Sequence, residues 1–302
     1  MITRLLNAMK RHPGLYLMML LPAAYFLIFK YIPMGGLAMA FMKYNPVKGF
    51  AGSTWVGFSN FIKFFQSYFF GSLIWNTFSI SLYQLVFGFP MPIILAISIN
   101  EAVSMKLKKT VQMITYAPHF ISTVVMVSII LQFLSPHYGL INFMLSKLGI
   151  EPVNFMGISS YFKTIYVVSG IWQTMGYSSI VYIAALSAID PQIVEAAIVD
   201  GASKFKRILF IDLPFLMPTA ITLLILNAGR IMSIGFEKIF LMQNPMNLNS
   251  SEIISTYVYK IGLLNTDYSL ATAIGLFNSV INLVLILIVN KLAKKYGEVG
   301  LF

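Results

Sequence analysis

Six apolar segments, each long enough to cross a lipid bilayer as a helix, constrain this chain more than any other feature. A hydrocarbon core about 30 Å thick requires about 20 mainly apolar residues per helical crossing. Of the 302 residues, 58% are hydrophobic and only 10% are charged, whereas a soluble domain carries about 25% charged residues. The sequence therefore predicts an all-α, polytopic membrane protein. Its six predicted transmembrane helices are residues 15–40, 73–99, 111–134, 164–189, 208–230 and 269–290.

The first apolar segment is the least regular, because Lys30 interrupts it. A lysine near the end of a crossing can extend its amine to the interface. A cleaved signal peptide is the competing interpretation, since basic residues precede the run and Ala38 and Ala40 form an A-x-A pattern. These small residues lie too far beyond the run, and cleavage would leave an odd number of crossings. The segment is therefore predicted to stay as the first helix.

The distribution of Lys and Arg predicts that both termini are cytoplasmic. The basic residues that would then lie inside cluster in short segments, whereas the others are scattered over outside loops and helix ends. The inside set is Arg4, Lys10, Arg11, Lys106, Lys108, Lys109, Lys204, Lys206, Arg207, Lys291, Lys294 and Lys295. This orientation predicts a cytoplasmic segment 1–14, a transmembrane domain 15–291 and a cytoplasmic tail 292–302. Topology thus explains most of the net charge of +11, and no nucleic acid partner is predicted.

The sequence offers no catalytic or metal-binding pattern. Cysteine is absent, which excludes disulfides and thiolate metal sites. The three histidines, His12, His119 and His137, are far apart, and none lies in an H-E-x-x-H motif. Neither G-x-S-x-G nor G-x-x-x-x-G-K-[ST] occurs. The chain is predicted to be no enzyme, with no catalytic residue and no metal site.

A short polar segment, SAIDPQIVEAAIVDGASKFKRILF, separates the fourth and fifth apolar segments. Asp190 is a suitable N-cap for a short helix that begins with Pro191. This helix is predicted to end near Gly201, because D-G marks a turn and glycine tolerates positive φ. Ser203 then caps the next helix. The sequence therefore predicts a helix-turn-helix elbow at residues 190–207, on the cytoplasmic side.

The composition of the elbow leaves two interpretations open. Small residues at Ala196, Ala197, Gly201 and Ala202 allow another backbone to approach closely, and Glu195 supplies one charge that can fix the register. These features suit a contact between proteins. An amphipathic helix lying on lipid headgroups fits the same residues. Physical reasoning alone does not decide between them.

The spacing of the elbow resembles a family signature. It reads Glu195-Ala196-Ala197, three residues, Gly201, nine residues, Ile211, one residue and Leu213-Pro214. This pattern is similar to the EAA signature of permease subunits in binding-protein-dependent ABC importers, and Asp200 and Pro218 also match common family choices. The segment WVGFSNFIKFF, residues 55–65, resembles the outer segment after the first helix of sugar-type permeases. Within the family, the chain looks most similar to the first permease of maltose-like or complex-oligosaccharide systems.

The resemblance implies a type I ABC importer permease fold in the bacterial cytoplasmic membrane. It implies that the elbow is a coupling helix seated in a cytoplasmic ATPase, with Glu195, Ala196, Ala197, Asp200, Gly201 and Ala202 as the docking residues. The implied partners are a second permease, two ATPase subunits, an extracellular solute-binding protein and a carbohydrate, within a lipid bilayer. No cofactor is expected on this chain, because ATP and Mg²⁺ would be used by the partner ATPases.

Polar residues within the apolar segments are candidates for a solute pathway, because unsatisfied polar groups are costly in lipid. The candidates are Gln173, Tyr177, Asn227, Arg230, Asn278, Asn282 and Tyr83. Aromatic planes beside amide and hydroxyl groups suit a sugar. Polar residues in membrane helices also commonly hold neighbouring helices together, so each candidate has this second interpretation. Arg230 either anchors its helix end at the outer interface or meets an anionic substrate such as a uronic acid.

Four alternatives to a sugar permease can be weighed against the sequence. An ABC permease for a non-sugar polar solute would share every feature above. A secondary transporter should show repeat symmetry and intramembrane acidic or cationic sites, and neither is evident. An intramembrane enzyme lacks a recognisable nucleophile or metal constellation, and a structural scaffold leaves the spacing of the elbow unexplained.

Overall fold

The structure is a computed structural model that describes residue 11 and residues 13–297. The expectations for Arg4, Lys10 and His12, and for the tail beyond residue 297, lie outside the described residues.

Judged by length and composition, four helices are able to cross a membrane. They are Pro13–Phe41, Phe70–Glu101, Lys204–Ala228 and Tyr268–Lys295. Two pairs of helices pass the same test only when each pair counts as one span. These pairs are Met105–Phe120 with Thr123–Phe133, and Ser159–Leu186 with Pro191–Val199. The described part of the chain therefore contains up to six spans, which is the number that the sequence predicts.

The regular elements are labelled here in chain order. The helices are α1 (Pro13–Phe26), α2 (Ser59–Phe65), α3 (Phe70–Tyr83), α4 (Pro90–Glu101), α5 (Met105–Tyr116), α6 (Thr123–Phe133), α7 (Leu140–Lys147), α8 (Ser159–Leu186), α9 (Pro191–Val199), α10 (Lys204–Arg207), α11 (Leu213–Ala228), α12 (Phe236–Met242), α13 (Leu248–Ser251), α14 (Ile254–Tyr259) and α15 (Tyr268–Gly297). Two short strands, β1 (Met42–Lys43) and β2 (Thr54–Trp55), lie between α1 and α2.

Wider π-helical turns precede prolines inside two of the spans. One π turn, Gln84–Gly88, lies before Pro90, and another, Ile208–Asp212, lies before Pro214. Proline lacks a backbone N–H and clashes with the carbonyl one turn earlier. A π turn changes the hydrogen-bond spacing at that point. Each span therefore continues across its proline instead of ending there.

The third apolar segment differs from its prediction. The sequence predicts one helix over residues 111–134, whereas α5 and α6 are separate helices that meet at 102°. Between them, Ala117–Phe120 forms a 3₁₀ turn that contains the buried Pro118. Ser122 then starts the new helix, since its hydroxyl accepts a hydrogen bond from the N–H of Val125. A proline and a strong N-cap four residues apart account for the break.

Among the described residues, 11, 13–66 and 261–276 belong to one compact unit. In it, β1 and β2 pair as an antiparallel hairpin, with Met42 opposite Trp55. The ring of Trp55 stacks on that of Phe41, with centroids 5.8 Å apart. Asn60 is buried, and its Nδ2 donates to the carbonyl oxygens of Ala40 (2.9 Å) and Met42 (3.0 Å). The hairpin and α2 are therefore held together by one buried amide.

The described residues 67–260 and 277–297 form the second unit. In it, α8 packs against two separate apolar clusters. Phe162, Tyr166 and Val167 of α8 belong to the first cluster, together with residues of α3, α6 and α12. Tyr182 and Leu186, near the other end of α8, belong to the second cluster, together with residues of α4 and α11. The stretch of α8 between these clusters carries most of its polar side chains.

Two asparagines, one buried and one half-buried, fix the segment that follows α12. Asn247 is fully buried, and its Nδ2 donates to the carbonyl oxygens of Met156 (3.2 Å) and Met242 (3.1 Å). Asn244 Nδ2 donates to the same Met156 oxygen at 2.9 Å. Because each amide satisfies backbone carbonyls that helices leave free, these contacts hold α12 in a defined position.

Candidate functional site

The elbow at residues 190–207 forms as its capping residues predict. The carboxylate of Asp190 accepts a hydrogen bond from the N–H of Gln192 at 2.9 Å, and α9 begins at Pro191. After the turn, the hydroxyl of Ser203 accepts a hydrogen bond from the N–H of Lys206 at 3.4 Å. The predicted helix-turn-helix geometry is confirmed. Its docking role stays a prediction at this point.

Gly201 closes α9 in a left-handed conformation, with φ of 76°. The N–H of Gly201 donates to the carbonyl oxygen of Ile198 at 3.0 Å, and the N–H of Ala202 donates to that of Ala197 at 2.9 Å. A Cβ atom at Gly201 would meet no atom within 4 Å. Backbone dihedral angles, and not crowding, therefore require glycine at this turn.

The elbow exposes apolar side chains at the end of the bundle. No residue of α9 is buried, and Val199 is 86% and Phe205 73% exposed. On the opposite side of the elbow, Val194 and Ile208 pack against the second apolar cluster. The elbow is thus attached to the bundle on one side and offers apolar surface on the other, which suits a protein or lipid contact.

A charged cluster connects the elbow to the second span. Arg207 Nη2 lies 3.3 Å from Glu101 Oε2, and the two side chains are only 12% and 21% exposed. Asp212, one turn further along, is buried. Arg207 Nε and Asp212 Oδ2 are buried without a hydrogen-bond partner within the described residues. A movement of the elbow would therefore displace the end of α4 through the Arg207–Glu101 ion pair.

A cavity of about 710 Å³ opens in the second unit, lined by residues of six helices (α3, α4, α6, α8, α11 and α12) and of the segments before α4 and after α11. Its polar and charged lining residues are Ser81, Gln84, Thr123, Tyr166, Gln173, Thr174, Tyr177, Ser178, Tyr182, Asn227, Arg230, Ser233, Glu237 and Lys238. Apolar groups such as Leu85, Phe89 and Val181 complete the wall. The volume and mixed lining are typical of a small-molecule site.

Four of the seven candidate pathway residues line this cavity. They are Gln173, Tyr177, Asn227 and Arg230. The Gln173 amide also donates to the carbonyl oxygen of Ile121 at 3.1 Å, which ties α8 to the break between α5 and α6. In the sequence these four residues lie in the fourth and fifth apolar segments, and in the structure they line one cavity.

The other three candidates lie away from the cavity wall. Asn282 accepts a hydrogen bond from the N–H of Met232 at 3.0 Å and donates to Ser233 at 2.8 Å. Tyr83 packs against the first apolar cluster. The Oδ1 atom of Asn278 is buried, with no hydrogen-bond partner in the described part of the chain. Asn282 thus holds two segments together, as the alternative interpretation of such polar residues expects.

Tyr177 presents a flat aromatic surface to the cavity. Its ring stacks on the imidazole of His119, with centroids 3.9 Å apart and planes 3° from parallel. Tyr177 is 45% exposed, so one face remains available. A supported aromatic plane beside amides is suited to the apolar face of a sugar ring.

Sequence reasoning missed Lys238 as a candidate and placed it among scattered basic residues of the outside loops. Lys238 is only 8% exposed and lines the cavity. Its position in FEKIFLM, residues 236–242, is the signal that could have identified it, because a lysine among apolar residues requires a partner or water. Helix α12 lies outside the candidate membrane spans. Burial lowers the pKa of Lys238 to about 8.

Side chains that could bind a metal ion do not cluster within the described residues. No cluster of three or more His, Asp, Glu or Cys side chains suited to a metal ion occurs there. The absence of a cofactor on this chain stays a prediction from the sequence.

Comparison with known protein families identifies the family of this chain. The family described as "Binding-protein-dependent transport system inner membrane component" matches residues 88–298. The chain belongs to this family. The permease is therefore a membrane transport component and not a catalyst, and the elbow with its Glu195 to Pro214 pattern lies within the matched residues.

Similar proteins agree with this assignment over almost the full length of the permease. It is 41% identical to Protein LplB of Bacillus subtilis (strain 168), an alignment that covers 98% of this chain and 93% of LplB. It is 40% identical to the "Polygalacturonan/rhamnogalacturonan transport system permease protein YteP" of the same organism, over 99% and 93% of the two chains.

A solved structure has the same fold. It is a chain of "a bacterial ABC transporter involved in the import of the acidic polysaccharide alginate", with 43% identity, a TM-score of 0.90 and coverage of 97% of this chain and 99% of that one. A second structure shows "bacterial alginate ABC transporter in complex with alginate pentasaccharide-bound periplasmic protein", with a TM-score of 0.91, 42% identity and coverage of 99% and 100%. The permease therefore has the type I ABC importer permease fold.

Proposed function

We propose that this permease is one of two membrane subunits of an ATP-driven importer in the bacterial cytoplasmic membrane. With a second permease, it forms a path that opens alternately to the outside and to the cytoplasm. The observation that carries this proposal is the exposed elbow, whose spacing matches the coupling segment of the family and whose geometry is stabilised by its own caps.

The elbow is the contact for a separate ATPase subunit, of which the complex holds two. Glu195, Ala196, Ala197, Asp200, Gly201 and Ala202 form the docking surface. The exposed apolar side chains of the elbow, which include Val199, support this role because they would otherwise face solvent. ATP and Mg²⁺ are bound by the ATPases, and the permease itself requires no cofactor. Closure of the ATPases would move the elbow and, through the Arg207–Glu101 ion pair, the end of α4.

The transported solute is an oligosaccharide delivered by an extracellular solute-binding protein. Two observations support this substrate class. YteP is named for polysaccharide transport, and the similar solved structure is of an importer of alginate. The cavity also combines the supported ring of Tyr177 with the amides of Gln173 and Asn227, a set of groups that stacks on sugar rings and bonds hydroxyls.

Copurification and uptake together test this function. The permease, expressed with its neighbouring genes and isolated in detergent, is expected to retain a second permease and two ATPases. Reconstituted with the binding protein in proteoliposomes, the complex should hydrolyse ATP faster when the binding protein carries an oligosaccharide and should import that oligosaccharide. A permease that purifies alone, or that drives uptake without ATP, would contradict the proposal.

A further inference from the structure

Lys238 is a buried cation with no anionic partner among the residues that the structure describes. Its amine donates one hydrogen bond, to the carbonyl oxygen of Tyr166 at 3.1 Å, and lies 4.9 Å from the centre of the Tyr166 ring. The two ion pairs found among the described residues join Arg207 to Glu101 and Lys260 to Glu252, and so leave Lys238 uncompensated. An unpaired buried charge is costly, and proteins keep one mainly where it serves function.

Gln84 and Lys238 converge on the same point of the cavity wall. A Cβ atom placed on Gly170 would lie 3.4 Å from Lys238 Nζ and 3.3 Å from Gln84 Oε1. Because residue 170 is glycine, both polar groups end beside bare backbone. The Gln84 amide makes no hydrogen bond to another group in the part of the chain that the structure describes, so its donors remain available to a ligand.

The charges around this point favour an anion. The cavity is lined by two cations, Lys238 and Arg230, and by one acid, Glu237. Glu237 is exposed and forms no ion pair with either cation within the described residues. A carboxylate that enters would therefore meet a net positive site.

We propose that Lys238, with the Gln84 amide beside it at Gly170, binds the carboxylate of an acidic sugar unit, and that Lys238 makes the permease selective for uronate-containing oligosaccharides. This inference rests on the proposed import function. It assigns recognition of the substrate's negative charge to one residue, Lys238. A carboxylate oxygen accepts hydrogen bonds from both an ammonium and an amide. Such a charge-assisted contact is stronger than the neutral hydroxyl contacts of an uncharged sugar.

Matched acidic and neutral sugars test the inference in the complete complex. Proteoliposomes with both permeases, the ATPases and the binding protein are supplied with tri-galacturonate, tri-mannuronate or the neutral α-1,4-galactotriose. The wild-type complex is expected to import at least one acidic trisaccharide in preference to galactotriose. Lys238→Gln should lower that uptake by about tenfold or more and lower galactotriose uptake far less, so that the preference for the acidic sugar is lost. Lys238→Arg should retain the preference, and Lys147→Gln, which removes an exposed cation elsewhere, should behave as wild type.

Chemical labelling separates the permease site from selection by the binding protein. Reductive methylation of Lys238 in the isolated complex, followed by peptide mass spectrometry, is expected to slow when tri-galacturonate or tri-mannuronate is added, but not when galactotriose is added. Equal labelling with all three sugars, or an unchanged preference in Lys238→Gln, would overturn the inference and leave the import function standing. If the wild-type complex retains no ATPase and imports none of the sugars, both the function and the inference fail.

Discussion

Arg207, the last residue of α10, forms an ion pair with Glu101, the last residue of α4, with Nη2 and Oε2 3.3 Å apart. The two residues are separated by 106 positions in the chain. Both side chains are mostly buried, so the pair is shielded from salt more than a surface pair would be. It is therefore a mechanical link between the elbow and the second span.

Breaking this link should uncouple ATP hydrolysis from transport. Glu101→Gln removes the carboxylate that pairs with Arg207 and leaves this largely buried cation near Asp212, with which it forms no ion pair within the described residues. Breaking one side of a buried pair is more disruptive than losing both charges. We expect the uptake per ATP hydrolysed to fall severalfold in proteoliposomes, with the complex still assembled. The double variant Glu101→Gln/Arg207→Gln is the control, and it should recover part of the coupling. Equal coupling in wild type and Glu101→Gln would show that the link is not used.

Gly201→Val should abolish coupled ATP hydrolysis while the permease stays inserted in the membrane. A β-branched residue at φ of 76° costs about 1–2 kcal/mol, and relief of that strain would reorient the end of α9. Asparagine tolerates this conformation, so Gly201→Asn is the matched control and should retain most of the activity. Membrane insertion is checked by fractionation, and coupling by ATPase assays with and without the loaded binding protein. Full coupling in Gly201→Val would argue against the docking role of the elbow.

Gly176→Ala should destabilise the bundle at the crossing of α8 and α5. The added Cβ would overlap the carbonyl oxygen of Thr115, a backbone atom that cannot rotate away. Overpacking of this kind costs about 1–3 kcal/mol, so the thermal midpoint of the purified complex is expected to fall by several degrees. Gly71→Ala is the control, because no atom lies within 4 Å of its added Cβ. Equal midpoints for the two variants would be inconsistent with the close contact.

Tyr177→Ala should weaken oligosaccharide import without affecting assembly. The variant removes the plane that stacks on His119 and faces the cavity. An aromatic contact contributes about 0.5–1.5 kcal/mol, which corresponds to a fall in uptake efficiency of about threefold to tenfold. Tyr177→Phe keeps the ring and should retain most of the uptake. If Tyr177→Ala imports at the wild-type rate, the ring does not contact the solute.

Lys238→Met should raise the thermal stability of the complex at pH 7, and the gain should shrink at high pH. Burial lowers the folded-state pKa of Lys238 from 10.5 to about 8, so at pH 7 the wild type carries a desolvated charge that methionine removes. Between about pH 8 and 10.5, the unfolded chain binds more protons than the folded one, so wild-type stability rises with pH. Thermal unfolding at pH 7 and 9.5 measures both effects. The exposed Lys147→Met is the control, and a constant difference at both pH values would contradict the argument.

The elbow shows how much the sequence determined by itself. Asp190, Gly201 and Ser203 act on backbone groups within a few residues of themselves. Caps and turns of this kind depend on local geometry, which a single sequence contains in full. The same holds for the spans, because about 20 apolar residues satisfy the backbone in lipid without help from the rest of the chain. The fold family and the elbow were therefore predictable.

Only the tertiary structure decided which polar residues share a cavity. Gln84, Gln173 and Lys238 come from distant parts of the chain, and no periodicity in the sequence records that they line one cavity. The residue type alone does not identify a pathway residue. Asn282 is a polar residue in an apolar segment, as a pathway residue would be, but it forms hydrogen bonds with Met232 and Ser233. Helical spacing fixes the face on which a side chain lies, whereas the packing of other helices fixes what that face meets.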